Sequence, residues 1–148
     1  MITVRLAEPR DAADIQRIFE RTLREADWLP KGADPDTDFL RNSGGETVYV
    51  GLSPQGEVAG FLSLYTPGKF IHHLYVEAGR QRQGVGVALL NSLESWLPKP
   101  WRLKCVTINT PARAFYARCG WIETETAMGS QGEYVLLRKF AEIQALKA

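Results

Sequence analysis

Three β-rich runs follow one another in mid-chain, ETVYVGL, EVAGFLSLY and KFIHHLYV, parted only by SPQG and TPG. Each spacer sets proline and glycine where a tight turn needs them, so the runs fold back on one another as an antiparallel meander. The third run then departs from that pattern. It leads through the joint QRQGVG into a helix from Val85 to Leu97, with Leu89, Leu90, Leu93, Trp96 and Leu97 at helical spacing, and Pro98 and Pro100 stop it before RLKCVTI resumes a strand. Strand, helix and strand in that order require a right-handed parallel crossover. A meander passing into one crossover does not fit a doubly wound parallel sheet.

The flanks extend this scheme. ITVRLA is an alternating strand, and Pro9 suits the first turn of a helix whose apolar stripe is Ala12, Ile15, Phe19, Leu23 and Ala26. WLPKGADPDTDFLRNSGG is a loop broken by Pro and Gly, with one short helix at Thr37 to Asn42. Downstream, PARAFYARCG is a short helix ended by Gly120, and WIETETAM, GSQG and EYVLLRKF form a last hairpin. The expectation is a single domain over residues 1–148, an α/β chain of the α+β type with about seven strands in a mixed, mostly antiparallel sheet and about four helices.

Charge narrows the function. With 18 Lys plus Arg against 17 Asp plus Glu the net charge is +1, which offers no overall field toward nucleic acid or an anionic membrane. The four tryptophans do not interleave with basic residues as a nucleic-acid platform would. No stretch approaches the roughly 18 apolar residues of a membrane span and the N-terminus lacks a signal core, so a cytoplasmic protein is expected. Cys105 and Cys119 have neither the number nor the spacing of a disulfide framework or a metal site; both read as buried reduced thiols, and no metal is assigned. Locally the charge is uneven: the segment Glu25 to Asp38 carries five acids and one base, and Gly79 to Lys104 five bases and one acid.

A helix start presents unpaired N–H groups and the positive end of the macrodipole, so the joint Gln81-Arg82-Gln83-Gly84-Val85-Gly86 is suited to an anion such as a phosphate. Glycine removes the Cβ that would hold a phosphate away, and Arg80 and Arg82 add charge at the rim. Neither a P-loop nor a dinucleotide fingerprint is present: GxxxxGK[ST] is absent, and Leu89 stands where a third glycine would be.

Taken together, LYVEAGRQRQGVGVALL resembles the acyl-CoA-binding motif of the GNAT superfamily of N-acetyltransferases, a Val-ended strand leading to a [QR]xxGx[GA] loop. A second motif of the superfamily has its counterpart in INTPARAFYARCGW, with Asn109, Phe115, Tyr116 and Gly120 in order. The resemblance reaches back to the opening strand and PRDAADI; Ala78 stands where many members have proline. It implies a sheet splayed beside the third meander strand, with acetyl-CoA as acyl donor and an amine-bearing acceptor; a homodimer is compatible with it. The CoA pyrophosphate would lie on the N–H groups of Gln81 to Val87. Leu74, Tyr75 and Val76 would border the pantetheine arm, with the Leu74 N–H aimed at the thioester oxygen, where such a donor stabilises an oxyanion. Asn109 would either bond the arm or cap a helix. Tyr116 would be the acid for the departing thiolate, against a reading as core packing. Members often carry a carboxylate as base near the thioester strand, whereas His72 and His73 stand here. Alternation places them on opposite faces, so at most one is expected to meet the acceptor. Cys119 has no partner His in sequence reach and is not expected to carry an acyl group. The alternative to an enzyme is a non-catalytic acyl-CoA-binding sensor or partner module.

Overall fold

The computed structural model describes residues 1–142. Chain order is β1 (Thr3–Leu6), α1 (Ala12–Arg24), α2 (Phe39–Asn42), β2 (Thr47–Leu52), β3 (Val58–Tyr65), β4 (Phe70–Val76), α3 (Val85–Asn91), β5 (Trp101–Val106), α4 (Thr110–Arg118), β6 (Ile122–Gly129) and β7 (Gly132–Lys139). Seven strands make one sheet in the order β1-β2-β3-β4-β5-β7-β6, antiparallel throughout except for β4 beside β5. This is the mixed, mostly antiparallel sheet with four helices that the sequence predicts.

Two apolar clusters, one on each face, hold the layers together. On one face Ile15, Ile18, Phe19 and Leu23 of α1 pack with Phe39 of α2 onto Val50, Val58 and Phe61. On the other, α3 and α4 bring Val85, Leu89, Leu90 and Tyr116 onto Leu62, Leu64, Ile71, Leu103 and Leu137. β3 serves both faces, so seven of its eight residues are buried and its sequence is apolar without alternation. Asp11 anchors the start of α1 to β1, taking bonds of 2.7 and 3.1 Å from Arg5 and one of 2.7 Å from the Glu8 N–H.

Several boundaries differ from the sequence reading for local reasons. Ile18 joins the α1 stripe, while Ala12 lies exposed at its start and Ala26 beyond its end. α2 begins at Phe39 rather than Thr37 because Asp38 is its extended N-cap, accepting the Arg41 N–H at 3.2 Å. α3 ends at Asn91 rather than Leu97: Ser92 Oγ bonds back to the Leu89 carbonyl at 2.6 Å, and the chain tightens into three-residue turns that still bury Leu93 and Leu97. β5 ends at Val106, whose carbonyl accepts the Asn109 N–H and turns the chain into α4.

Candidate active site

The parallel pair β4 and β5 stays in register at only two positions, Phe70 with Arg102 and Ile71 with Leu103, and then the strands part. The pairing phase of β4 with β3 decides what faces the opening. The Glu77 N–H bonds the Ala59 carbonyl at 2.8 Å, and hydrogen-bonded pairs alternate along an antiparallel ladder. Tyr75 is therefore bonded to Phe61, whereas Leu74 and Val76 turn their N–H and C=O groups away from β3 into the opening. Their side chains join the α3 face, and Tyr75 joins the α1 face.

At the mouth of this seam lies the glycine joint. Gly84 is the N-cap of α3 at φ 84°, a left-handed conformation, and a Cβ there would meet nothing within 4 Å. Gly86 answers a packing need instead: a Cβ on it would stand 3.0 Å from Phe115 Cζ of α4. Gln81, Arg82, Gln83 and Gly84 are exposed, Val85 is buried and Val87 is exposed. Among the described residues no acceptor meets the N–H groups from Gln81 to Val87. Arg80 is engaged by Glu57 at 2.6 Å and Glu77 at 3.6 Å, so Arg82 is the cation left to the loop.

The two histidines depart from simple alternation. The β3–β4 register slips between Ser63 and Leu64, which face His73 and Ile71 respectively, so His72 is an extra residue in β4. This bulge brings the His72 and His73 rings side by side, with centroids 3.9 Å apart, rather than on opposite faces. His73 is buried among Phe19, Phe39 and Tyr75, with Nδ1 2.8 Å from Ser63 Oγ; burial pushes its pKa down to about 3, so the ring is neutral. His72 is exposed, and its Nδ1 lies 2.7 Å from Glu46 Oε2. Glu46 immediately precedes β2, as the first residue of the run ETVYVGL. No spacing signal could have singled it out, because 26 residues and a whole intervening strand separate it from His72.

Tyr116 sits on α4 against Phe115 and Trp121, with ring centroids at 5.3 and 5.8 Å. Burial drives its phenol pKa upward, and no described group hydrogen-bonds the hydroxyl. Asn109 caps α4, its side chain accepting the Ala112 N–H at 3.4 Å, which realises the second of its two expected roles. Cys105 is buried, its thiol pushed up to about 11; Cys119 is half-buried rather than buried.

The chain matches the Acetyltransferase (GNAT) family over residues 12–121, well over half its length. It belongs to that family. No curated protein sequence matches this GNAT chain. Among solved structures, apo YjaB from Escherichia coli superposes with a TM-score of 0.76 at 19% identity, covering 93% of this chain and 97% of that one. Phosphinothricin acetyltransferase from Sinorhizobium meliloti, solved with AcCoA, gives 0.71 at 17% identity, covering 94% and 88%. YncA from Salmonella typhimurium, solved with acetyl-CoA, gives 0.69 at 18%, covering 94% and 93%. At these identities the likeness is one of fold.

Two further surface features of this GNAT chain lie apart from the glycine joint. A groove of about 350 Å³ opens on the α1 side of the sheet, walled by Phe70, Arg102, Lys104, Glu125 and Tyr134. The acidic run from Glu25 to Asp38 is largely consumed locally, since Glu25 pairs with Arg21, and Asp36 and Asp38 pair with Arg41. The carboxylate beside the histidines, Glu46, comes from outside that run. No helix among the described residues is long and apolar enough to cross a membrane.

Proposed function

We propose that this GNAT chain is an N-acetyltransferase that moves the acetyl group of acetyl-CoA to a primary amine by direct attack in a ternary complex. The observation that carries the reading is the seam. Unpaired backbone groups of Leu74 and Val76 face an opening whose mouth is lined by the free N–H groups of Gln81 to Val87. An extended, amide-bearing arm ending in phosphates satisfies both sets at once. The solved neighbours with acetyl-CoA support that ligand.

Within this reading Arg82 and the loop N–H groups hold the phosphates, Phe115 supports the loop through Gly86, and the Leu74 N–H donates to the thioester oxygen. His72 is the base. Its Nδ1–H donates to Glu46 Oε2, which fixes the tautomer and leaves Nε2 to take a proton. At a strand rise of about 3.3 Å per residue, His72 stands roughly 7 Å along β4 from Leu74, room for an amine between them. His73, buried and neutral, orients its neighbour. The acceptor ammonium gives one proton to solvent by way of His72, and its lone pair then forms the C–N bond as the C–S bond breaks. As the amide forms, the nitrogen gives its second proton to solvent by the same route, Tyr116 gives its proton to the thiolate and takes one back from solvent, so amide, thiol and one net proton are the products. Every group named comes from a single copy of the chain.

The test is thiol release from acetyl-CoA across a panel of amines, with calorimetry of acetyl-CoA and CoA alongside. Acceptor-dependent release of one thiol per amide is the expected result. Binding without turnover on any amine would make the chain a non-catalytic acyl-CoA module. Absence of binding at millimolar ligand by folded protein would overturn the reading of the seam.

A further inference from the structure

We propose that Glu46, His72 and His73 form a binding site for a zinc-like divalent cation, and that the bound ion silences the base of the acetyl transfer. The second half rests on the function proposed above; the first does not. Each of the three residues offers one ligand atom, and these atoms lie within 4.8 Å of one another. Around a tetrahedral zinc with bonds of about 2.0 Å, ligand atoms stand roughly 3.3 Å apart, so small side-chain rotations close the set.

An independent observation points to a missing ligand. The Glu46 side chain is only 8% exposed, yet its Oε1 is buried and meets no hydrogen-bond donor, while Oε2 is held by His72. A carboxylate oxygen left this way is costly, and a cation would relieve it. The histidines are already arranged for such a role. Ser63 Oγ accepts from His73 Nδ1–H at 2.8 Å in the tautomer that leaves Nε2 its lone pair, the supporting contact that metal-binding imidazoles commonly have. The His72 ring, its centroid 3.9 Å from that of its neighbour, is exposed and gives an ion a way in. Two imidazoles and one carboxylate suit zinc and similar first-row ions and leave a position for water; magnesium and calcium prefer all-oxygen sets. An ion held there would bind the His72 imidazole that otherwise takes the acceptor's proton, and the carboxylate that fixes its tautomer.

Titration of chelator-stripped protein with zinc chloride in a calorimeter tests the site. One ion per chain is expected. Glu46→Gln and His72→Asn should each weaken binding by more than about tenfold, and Ser63→Ala by about 10- to 100-fold. Magnesium chloride should give no heat. Melting curves confirm that each variant is folded; His72 is exposed, so His72→Asn decides the matter if Glu46→Gln does not fold. No zinc heat, affinity unchanged in His72→Asn, or equal binding of magnesium would each overturn the site. With an amine that is turned over, zinc should suppress thiol release and EDTA restore it; full turnover at saturating zinc would overturn the inhibitory role. If no amine is turned over, the function reading fails while the calorimetry still decides the metal site.

Discussion

Replacing Tyr116 by phenylalanine removes one oxygen and keeps a ring that packs between Phe115 and Trp121. An ordinary buried hydroxyl takes a hydrogen bond worth about 0.5–1.5 kcal/mol with it when it is deleted. Here no described group bonds the phenol, so that loss is absent, and the change in stability should stay within about 1 kcal/mol, a melting shift of no more than about 2–4 °C in a chain of this size. The rate should respond on a different scale. Loss of a general acid lowers turnover by about 10²- to 10⁴-fold, or roughly 3–5 kcal/mol in the transition state. The assay is kcat at saturating acceptor, with acetyl-CoA affinity from calorimetry and a melting curve on the same sample. A fall in kcat with affinity and melting point nearly fixed is the expected pattern. A Phe variant as fast as the parent would refute the assignment, and the thiolate would then take its proton from water. A variant that melts far lower would refute the packing argument instead.

Three other substitutions probe the remaining groups. Gly84→Glu should abolish binding of both acetyl-CoA and CoA in calorimetry; the side chain enters open space and the left-handed backbone costs only about 1–2 kcal/mol, so the fold should survive, and normal affinity would place the phosphates elsewhere. Glu46→Gln should lower kcat by at least about tenfold and displace the pH–rate profile, because the amide no longer fixes the His72 tautomer; an unmoved profile would remove Glu46 from the mechanism. His73 binds its proton far less readily folded, near pH 3, than unfolded, near 6.5. Stability should therefore be complete above about pH 6.5 and fall by up to about 1.4 kcal/mol per pH unit on acidification toward 3. Denaturant midpoints in EDTA at pH 7.5 and 5 would show this slope, His73→Phe should flatten it, and a flat profile in the parent would contradict the burial of that ring.

What the sequence disclosed is what short-range pattern carries. The meander, the crossover and the helix starts follow from turn residues and periodicity, and the joint at Gly84 and the cap at Asn109 are local chemistry that neighbouring letters report. What it concealed is long-range or depends on register. The bulge that sets His72 beside His73 arises from how β4 meets Ser63 and Leu64 on another strand, and period-two reasoning has no way to count an extra residue. Glu46 is invisible for the same reason, since its partner lies two strands away. The early end of α3 was hidden because Leu93 and Leu97 remain buried after the helical bonding has tightened. The local pairing of the acidic run was hidden because Arg21 and Arg41, which neutralise much of it, lie just outside the counted window.

An edge in the middle of a sheet is an unusual thing for a protein to keep. Edge strands ordinarily invite other chains to pair with them, and are blunted by charge, proline or cover. Here the unpaired groups of Leu74 and Val76 are protected by geometry alone. The strands rejoin at Ile71 and Leu103, only three residues below Leu74, and α3 and α4 pack over the adjoining face. A second β-strand entering that wedge would run into the closed end within two or three residues, too short a ladder to hold a foreign chain. In the proposed reading the seam admits a ligand that brings a couple of amide groups and a charged head for the loop outside, while a strand of another protein would find too little ladder there to stay.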